Sequence, residues 1–150
     1  MTAEEIEKLL ASKDIVFSVD IDVYRQDLIF VYGGTEKSQK RRVKKIIDKR
    51  YYKHLDALYH TMMEIPSYRG LYSSAPPLKI ITIKNQDSFW DFQNILVHET
   101  LHAAFDILRG VGVEPSEQSE EAYTYLQQHI FEQINYQMFK EEDEETISEL

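Results

Sequence analysis

With five histidines and no cysteine, any transition-metal site in this chain must be built from imidazole and carboxylate. Two of the histidines stand in His98-Glu99-Thr100-Leu101-His102, the pattern HExxH. On a helix, residues i and i+4 share a face, so the two imidazoles can meet one ion. Glu99, one residue round from the first ligand, can reach a water on that ion without being a ligand itself. Chance supplies the pattern in about one chain in fifty of this composition, so its surroundings must carry the reading. The segment ILVHETLHAAFDIL is otherwise strongly apolar, and burying two histidines and a glutamate in it without partners is costly. A metal ion accounts for that burial.

A tetrahedral catalytic zinc takes three protein ligands and keeps one position open. Residues 103–108 contain no histidine, so the short H-x-x-G-x-x-H extension is absent. Glu121 follows His102 with 18 residues between them. A helix-turn-helix of that length can fold back and bring the start of its second helix over the first. Glu121 is therefore the expected third ligand. Glu120, about 100° round the helix, is the alternative, or a first-turn acid favoured by the helix dipole. Asp106, one turn past His102, is read first as an acceptor orienting that imidazole. It is also a rival ligand or an ion-pair partner.

HExxH followed by a glutamate after 18 residues resembles the gluzincin pattern of thermolysin-like and aminopeptidase-like metallopeptidases. His102-Ala103-Ala104-Phe105-Asp106 is similar to the H-A-x-x-D continuation in thermolysin-like enzymes. Over about residues 78–135 the chain also resembles small proteins of bacteriophages and prophages. Those have one HExxH helix, a Gly-containing turn and an acidic, aromatic helix like Glu120-Glu121-Ala122-Tyr123-Thr124-Tyr125-Leu126. The chain departs from the large gluzincins in lacking their extra domains. It also has Tyr125 where they have Asp four residues after the third ligand, so no partner is assigned to His98.

The resemblance and the residue chemistry imply zinc-dependent hydrolysis of a peptide or protein substrate, with one Zn2+ per chain held by His98, His102 and Glu121. Zinc lowers the pKa of water toward 7 and polarises a carbonyl. Glu99 is the expected general base, taking a proton from the attacking water and delivering it to the leaving amine. Tyr125, one turn past Glu121, is the candidate oxyanion helper, with Tyr123 nearby; a place in the core or at its rim is the alternative for both. Two imidazoles and a carboxylate also suit manganese, iron or cobalt.

These residues must be positioned by their elements. Residues 3–11 predict a short helix. Alternation at Ile15, Phe17, Val19, Ile21 and Val23 predicts a half-buried strand, and residues 28–32 a second, joined as a hairpin through residues 25–27 and ended by Gly33-Gly34. A long helix, capped by Thr35, follows the apolar stripe Val43, Ile46, Ile47, Tyr51, Leu55, Leu58, Met62 until Pro66. Residues 66–77 read as a loop and candidate lid, and residues 78–84 as a third strand. Ser88 caps the HExxH helix, which runs to about Arg109 with Gly110 as its stop. Ser116 or Ser119 opens a last helix reaching about Phe139. The order β-β-α-β-α-α defines an α+β fold with a short antiparallel or mixed sheet, a long N-terminal helix and two consecutive metal-site helices, zincin-like by the resemblance. The strand at 78–84 or the N-terminal hairpin would supply a sheet edge for an extended peptide.

Of the other histidines, His54 reads as a hydrogen-bonded core residue, His60 as solvated and His129 as structural. With 150 residues and 43% apolar content, one domain over residues 1–140 is expected, with an acidic tail at 141–150. A formal charge of −9 argues against general nucleic-acid binding. The acidic start lacks a signal-peptide pattern and no run has membrane-spanning length, so a cytoplasmic protein without membrane association is expected. Nine of the 17 basic residues fall within residues 37–53, as a solvated helix face or a dock for the acidic tail. A second functional reading follows: a non-catalytic binding or assembly protein that keeps the metal as a structural pin.

Overall fold

A computed structural model describes residues 1–140 except Asp22, Val23 and Arg25, so the expected acidic tail and part of the expected hairpin turn lie outside the described residues. The first helix, α1 (Ala3–Ser12), is set by a capping box. Thr2 Oγ1 accepts from the Glu5 amide at 3.1 Å and the Glu5 carboxylate accepts from the Thr2 amide at 3.4 Å. Two strands, β1 (Ile15–Ile21) and β2 (Gln26–Tyr32), pair antiparallel from Ile15 opposite Tyr32 to Ile21 opposite Gln26. Gln26 and Asp27 thus belong to β2, and the connection is residues 22–25 rather than 25–27.

The expected long helix is two helices, α2 (Glu36–Lys44) and α3 (Tyr52–Met63). At the end of α2 the amides of Lys45 and Ile46 bond back only three residues, to Arg42 and Val43. Asp48 then accepts from the Arg50 amide at 2.9 Å and starts a fresh 3-10 turn, Lys49–Tyr51. The apolar period runs unbroken across this joint, because both helices cover the same sheet face.

The stretch expected as a loop contains a strand, β3 (Gly70–Ala75), which forms a hairpin with β4 (Leu78–Ile83). The strand order is β1-β2-β4-β3, with β2 and β4 parallel and the outer pairs antiparallel. The sheet is mixed and the fold is α+β. The edges are β1 and β3; β4 lies inside and offers no free edge, which corrects one of the two expectations for peptide docking.

The two inner strands are buried on both faces, which is why residues 28–32 and 78–83 are near-continuous apolar runs. Leu28, Phe30, Tyr32, Ile81 and Ile83 face one core with α1, α4 (Phe89–Gly110) and α5 (Glu120–Phe139). Ile29, Val31 and Ile80 face the other, with Val43, Leu55, Leu58, Tyr59 and Met62 of α2 and α3. No helix among the described residues is long and apolar enough to cross a membrane.

Candidate metal centre

Ser88 Oγ accepts from the Asp91 amide at 3.1 Å and fixes the start of α4. Phe92, Leu96, Ala103, Ala104, Ile107 and Leu108 then face the core. That burial sets the rotation of the helix, and so the direction of the motif. His98 and His102 emerge on the open face, while Glu99, about 100° round, turns toward the sheet. The side chain of His98 is 67% exposed and that of Glu99 only 7%. The expectation of a buried histidine pair is thus corrected: the apolar residues beside the pair, Val97 and Leu101, are themselves exposed, and of His98, Glu99 and His102 only Glu99 is buried.

The two Nε2 atoms stand 3.1 Å apart. Two nitrogens bound tetrahedrally to one zinc at 2.0–2.1 Å stand about 3.3 Å apart, so the pair is spaced as a chelate. Glu99 Oε1 lies 3.8 Å from His98 Nε2. Its other oxygen, Oε2, is buried and has no hydrogen-bond partner. A buried acceptor of this kind, beside two converging imidazoles, fits a site that takes up a further polar partner. Ligand atoms of His98, Glu99 and His102 all lie within 4.8 Å of one another, and the group could hold a metal ion.

The expected return of α5 is present. It packs antiparallel on α4: the rings of Phe105 and Tyr123 are 4.9 Å apart, the Gln127 side chain donates through Nε2 to the Val97 carbonyl at 3.0 Å, and Gln93 pairs with Asn135 at 2.6 Å. Glu120 and Glu121 are both exposed in its first turn, and neither belongs to the group of three. Tyr123 takes the position facing α4 and donates to the Val113 carbonyl at 2.6 Å. Tyr125, about 200° from it, faces β1 instead, where it lines a cavity with Asp20, Ile21, Tyr24, Ala122, Leu126 and His129. His129 is held there by the Asp20 carbonyl at 2.9 Å, as the structural reading expects. His60 is exposed beside Glu64, also as expected. His54 is exposed and edge-on to Tyr51, which corrects its assignment to the core.

Asp106 accepts a short hydrogen bond from the hydroxyl of Tyr72 on β3. Burial, then the Asp106 carboxylate, push the Tyr72 phenol well above its ordinary range. Nothing in the sequence marks Tyr72, because Gly70, Ser73, Ser74 and the two prolines around it are loop-forming types. Through Tyr72 to Asp106, and through Gly70 against Ile95, the edge strand β3 is anchored to the helix that carries the motif. Comparison of the chain with protein-family models, with curated proteins and with solved structures finds no match.

Proposed function

We propose that this chain is a gluzincin-like, metal-dependent peptide-bond hydrolase, with Zn2+ held by His98, His102 and Glu121 and with Glu99 as general base. The observation that carries the reading is the buried Glu99 carboxylate, one oxygen of it unpartnered, beside two imidazoles spaced to chelate one ion. A zinc ion bound there supplies Lewis acidity toward a carbonyl and lowers the pKa of water toward 7.

The chain's own residues do the rest. His98 and His102 present Nε2 from one helical face and need no rearrangement to share a ligand. Glu99 turns Oε1 toward the pair, 3.8 Å from His98 Nε2, where it can accept a proton from water and return it to the leaving nitrogen. Burial keeps that carboxylate out of competition with bulk solvent. Glu121 is assigned to the third position on its spacing from His102 and on the antiparallel return of α5; its carboxylate must swing toward the pair as the ion binds. The exposed edge of β3, bound only to β4, offers backbone groups to an extended peptide beside α4. Val97 opens a groove of about 230 Å³ with Thr124, Gln127, Gln128 and Phe131, next to His98, that suits one substrate side chain.

The openness of the histidine pair favours this reading over a structural pin. Structural zinc sites are closed by four protein ligands, whereas the group among the described residues has three potential donors and faces solvent. Metal analysis of protein purified without added metal should return about one zinc per chain; no metal and no zinc affinity would overturn the proposal. Glu99→Gln should keep the metal and abolish hydrolysis of a casein or peptide-library substrate. Glu121→Gln should weaken zinc binding by about tenfold or more. Unchanged affinity would remove Glu121 from the site while leaving the histidine pair in place.

A further inference from the structure

The six basic residues of 37–45, on α2 and its C-cap, lie on the side of the sheet opposite His98 and His102, and they divide into three sets. Lys40 and Lys44 both bind Asp56, at 3.1 and 3.2 Å. Arg42 turns inward to the carbonyls of Tyr32 and Gly33. Lys37, Arg41 and Lys45 remain, exposed at i, i+4 and i+8 on one stripe of α2 and its C-cap. Their side chains make no hydrogen bond or ion pair with another described residue. With Lys40, Lys44 and Tyr52 they line a groove of about 430 Å³ that has no carboxylate in its wall. The charge of such a groove is complementary to an anion, and the described residues place none in it.

The chain carries one. Residues 141–150, EEDEETISEL, hold six of the 26 acidic residues and no basic one. The remainder of the chain has 17 basic and 20 acidic residues, so two thirds of the net charge of −9 sits in this segment. The end of α5 also lies on the correct route. Lys13 Nζ donates to the Met138 carbonyl at 2.8 Å; the Lys13 carbonyl accepts from Asn85; Asn85 Oδ1 accepts from the Gly34 amide; and Arg42 of α2 binds the Gly33 carbonyl next door. Ten extended residues reach about 33 Å, enough to cross from that junction along the whole of α2.

We propose that segment 141–150 is the ligand of this groove, laid along α2 of its own chain with its carboxylates on Lys37, Arg41 and Lys45. A free polyanion, such as a nucleic acid, must approach a molecule that is negative overall. The tethered segment is present at about millimolar effective concentration and meets no such barrier. Docking neutralises an unpaired stripe of three cations and needs no conformational change in the described fold. It would also deny the groove to phosphate-bearing ligands.

The absence of cysteine gives a clean experiment. A nitroxide attached at Ser148→Cys in the full chain should roughly halve the amide signals of residues 37–45 at low salt, and the effect should fade near 1 M salt, where the screening length is about 3 Å. It should vanish in Lys37→Glu/Arg41→Glu/Lys45→Glu. Should that variant fail to fold, neutralising the segment (Glu141→Gln through Glu145→Gln, with Asp143→Asn) tests the same contact from the other side. No broadening at 37–45 in low salt overturns the proposal. So does broadening that arises only from the label of a neighbouring molecule in an isotope-mixed sample, which would make the contact intermolecular. Shifts of these amides with inorganic phosphate, without broadening from the label, would overturn it in favour of a phosphate ligand.

Discussion

Glu99 illustrates how a reactive residue can work against its own fold. Its carboxylate is buried on the sheet-facing flank of α4, and Oε2 finds no donor there. Leaving such a group unsatisfied costs about 1–3 kcal/mol. Replacing it by an apolar residue of similar size should therefore stabilise the metal-free protein even as it removes the proposed base. Glu99→Met is expected to gain about 1–2 kcal/mol in urea denaturation with the metal chelated away; a loss of stability would mean that Oε2 is satisfied in the native state. Asp106 is the opposite case. Its short bond from Tyr72 is the only one that joins β3 to the motif helix through side chains among the hydrogen bonds of the described residues. Tyr72→Phe leaves that acceptor half-buried and unpaired, and should cost about 1–3 kcal/mol in the same denaturation measurement. Of these two residues only Glu99 was legible in the sequence, because its meaning lies in a local spacing. Tyr72 acquires its meaning from a partner 34 positions away.

At the scale of elements, the approach of β3 to α4 rests on a missing side chain. A Cβ placed on Gly70 would stand 2.2 Å from Ile95 Cγ2, far inside contact distance. Ile95 precedes Glu99 by one helical turn, so any retreat of α4 from the sheet carries the motif with it. Gly70→Ala should destabilise by about 1–3 kcal/mol and weaken zinc binding in parallel. Wild-type affinity in a stably folded variant would show that the site tolerates a shift of its helix. The same contact explains what the sequence hid. Gly70, Ser73, Ser74 and the two prolines are loop-forming types, and only the ladder offered by β4 makes residues 70–75 a strand. The break between α2 and α3 was hidden in another way. The apolar period passes straight through it, and the sole local signal was Asp48, a residue type that caps helices. Elements with strong private signals were legible to within a few residues: α4 from Ser88, β2 and β4 from their apolar runs, and the start of α2 from Thr35. The antiparallel return of α5 was legible too, from the length of the connection after Gly110.

Across the whole molecule the sheet is gripped on both faces by tyrosines whose hydroxyls reach inward. Tyr32 lies in the core with α1, α4 and α5, its hydroxyl donating to the Leu10 carbonyl at 2.5 Å and accepting from the Gln86 amide at 2.8 Å. Tyr59 lies in the core with α2 and α3, its hydroxyl donating to Gln39 at 3.4 Å. Tyr68 stands at the rim of that second core against Glu36, and Tyr72 bridges β3 to α4. Burial pushes Tyr32, Tyr59 and Tyr68 up to about 12, and Tyr72 is raised as well. A raised phenol is protonated in the folded chain at pH values where the unfolded chain, near 10, has already released its proton. Stability from these groups is therefore complete below about pH 10 and falls as pH rises toward 12. For the fully buried pair, Tyr32 and Tyr59, the loss by pH 12 is on the order of 2–3 kcal/mol each, a large part of the 5–15 kcal/mol that holds a domain together. Because the two are in different cores on one shared sheet, ionising either exposes a layer that the other needs. Alkaline unfolding should thus be one cooperative step between about pH 10 and 12, with loss of helical circular dichroism coinciding with a steep rise in tyrosinate absorbance. Tyr59→Phe and Tyr32→Phe should each broaden that step and shift it to higher pH. A gradual rise of tyrosinate absorbance with the circular dichroism unchanged through pH 12 would show that the hydroxyls titrate in the native fold, and that the two layers are held to the sheet by apolar packing alone.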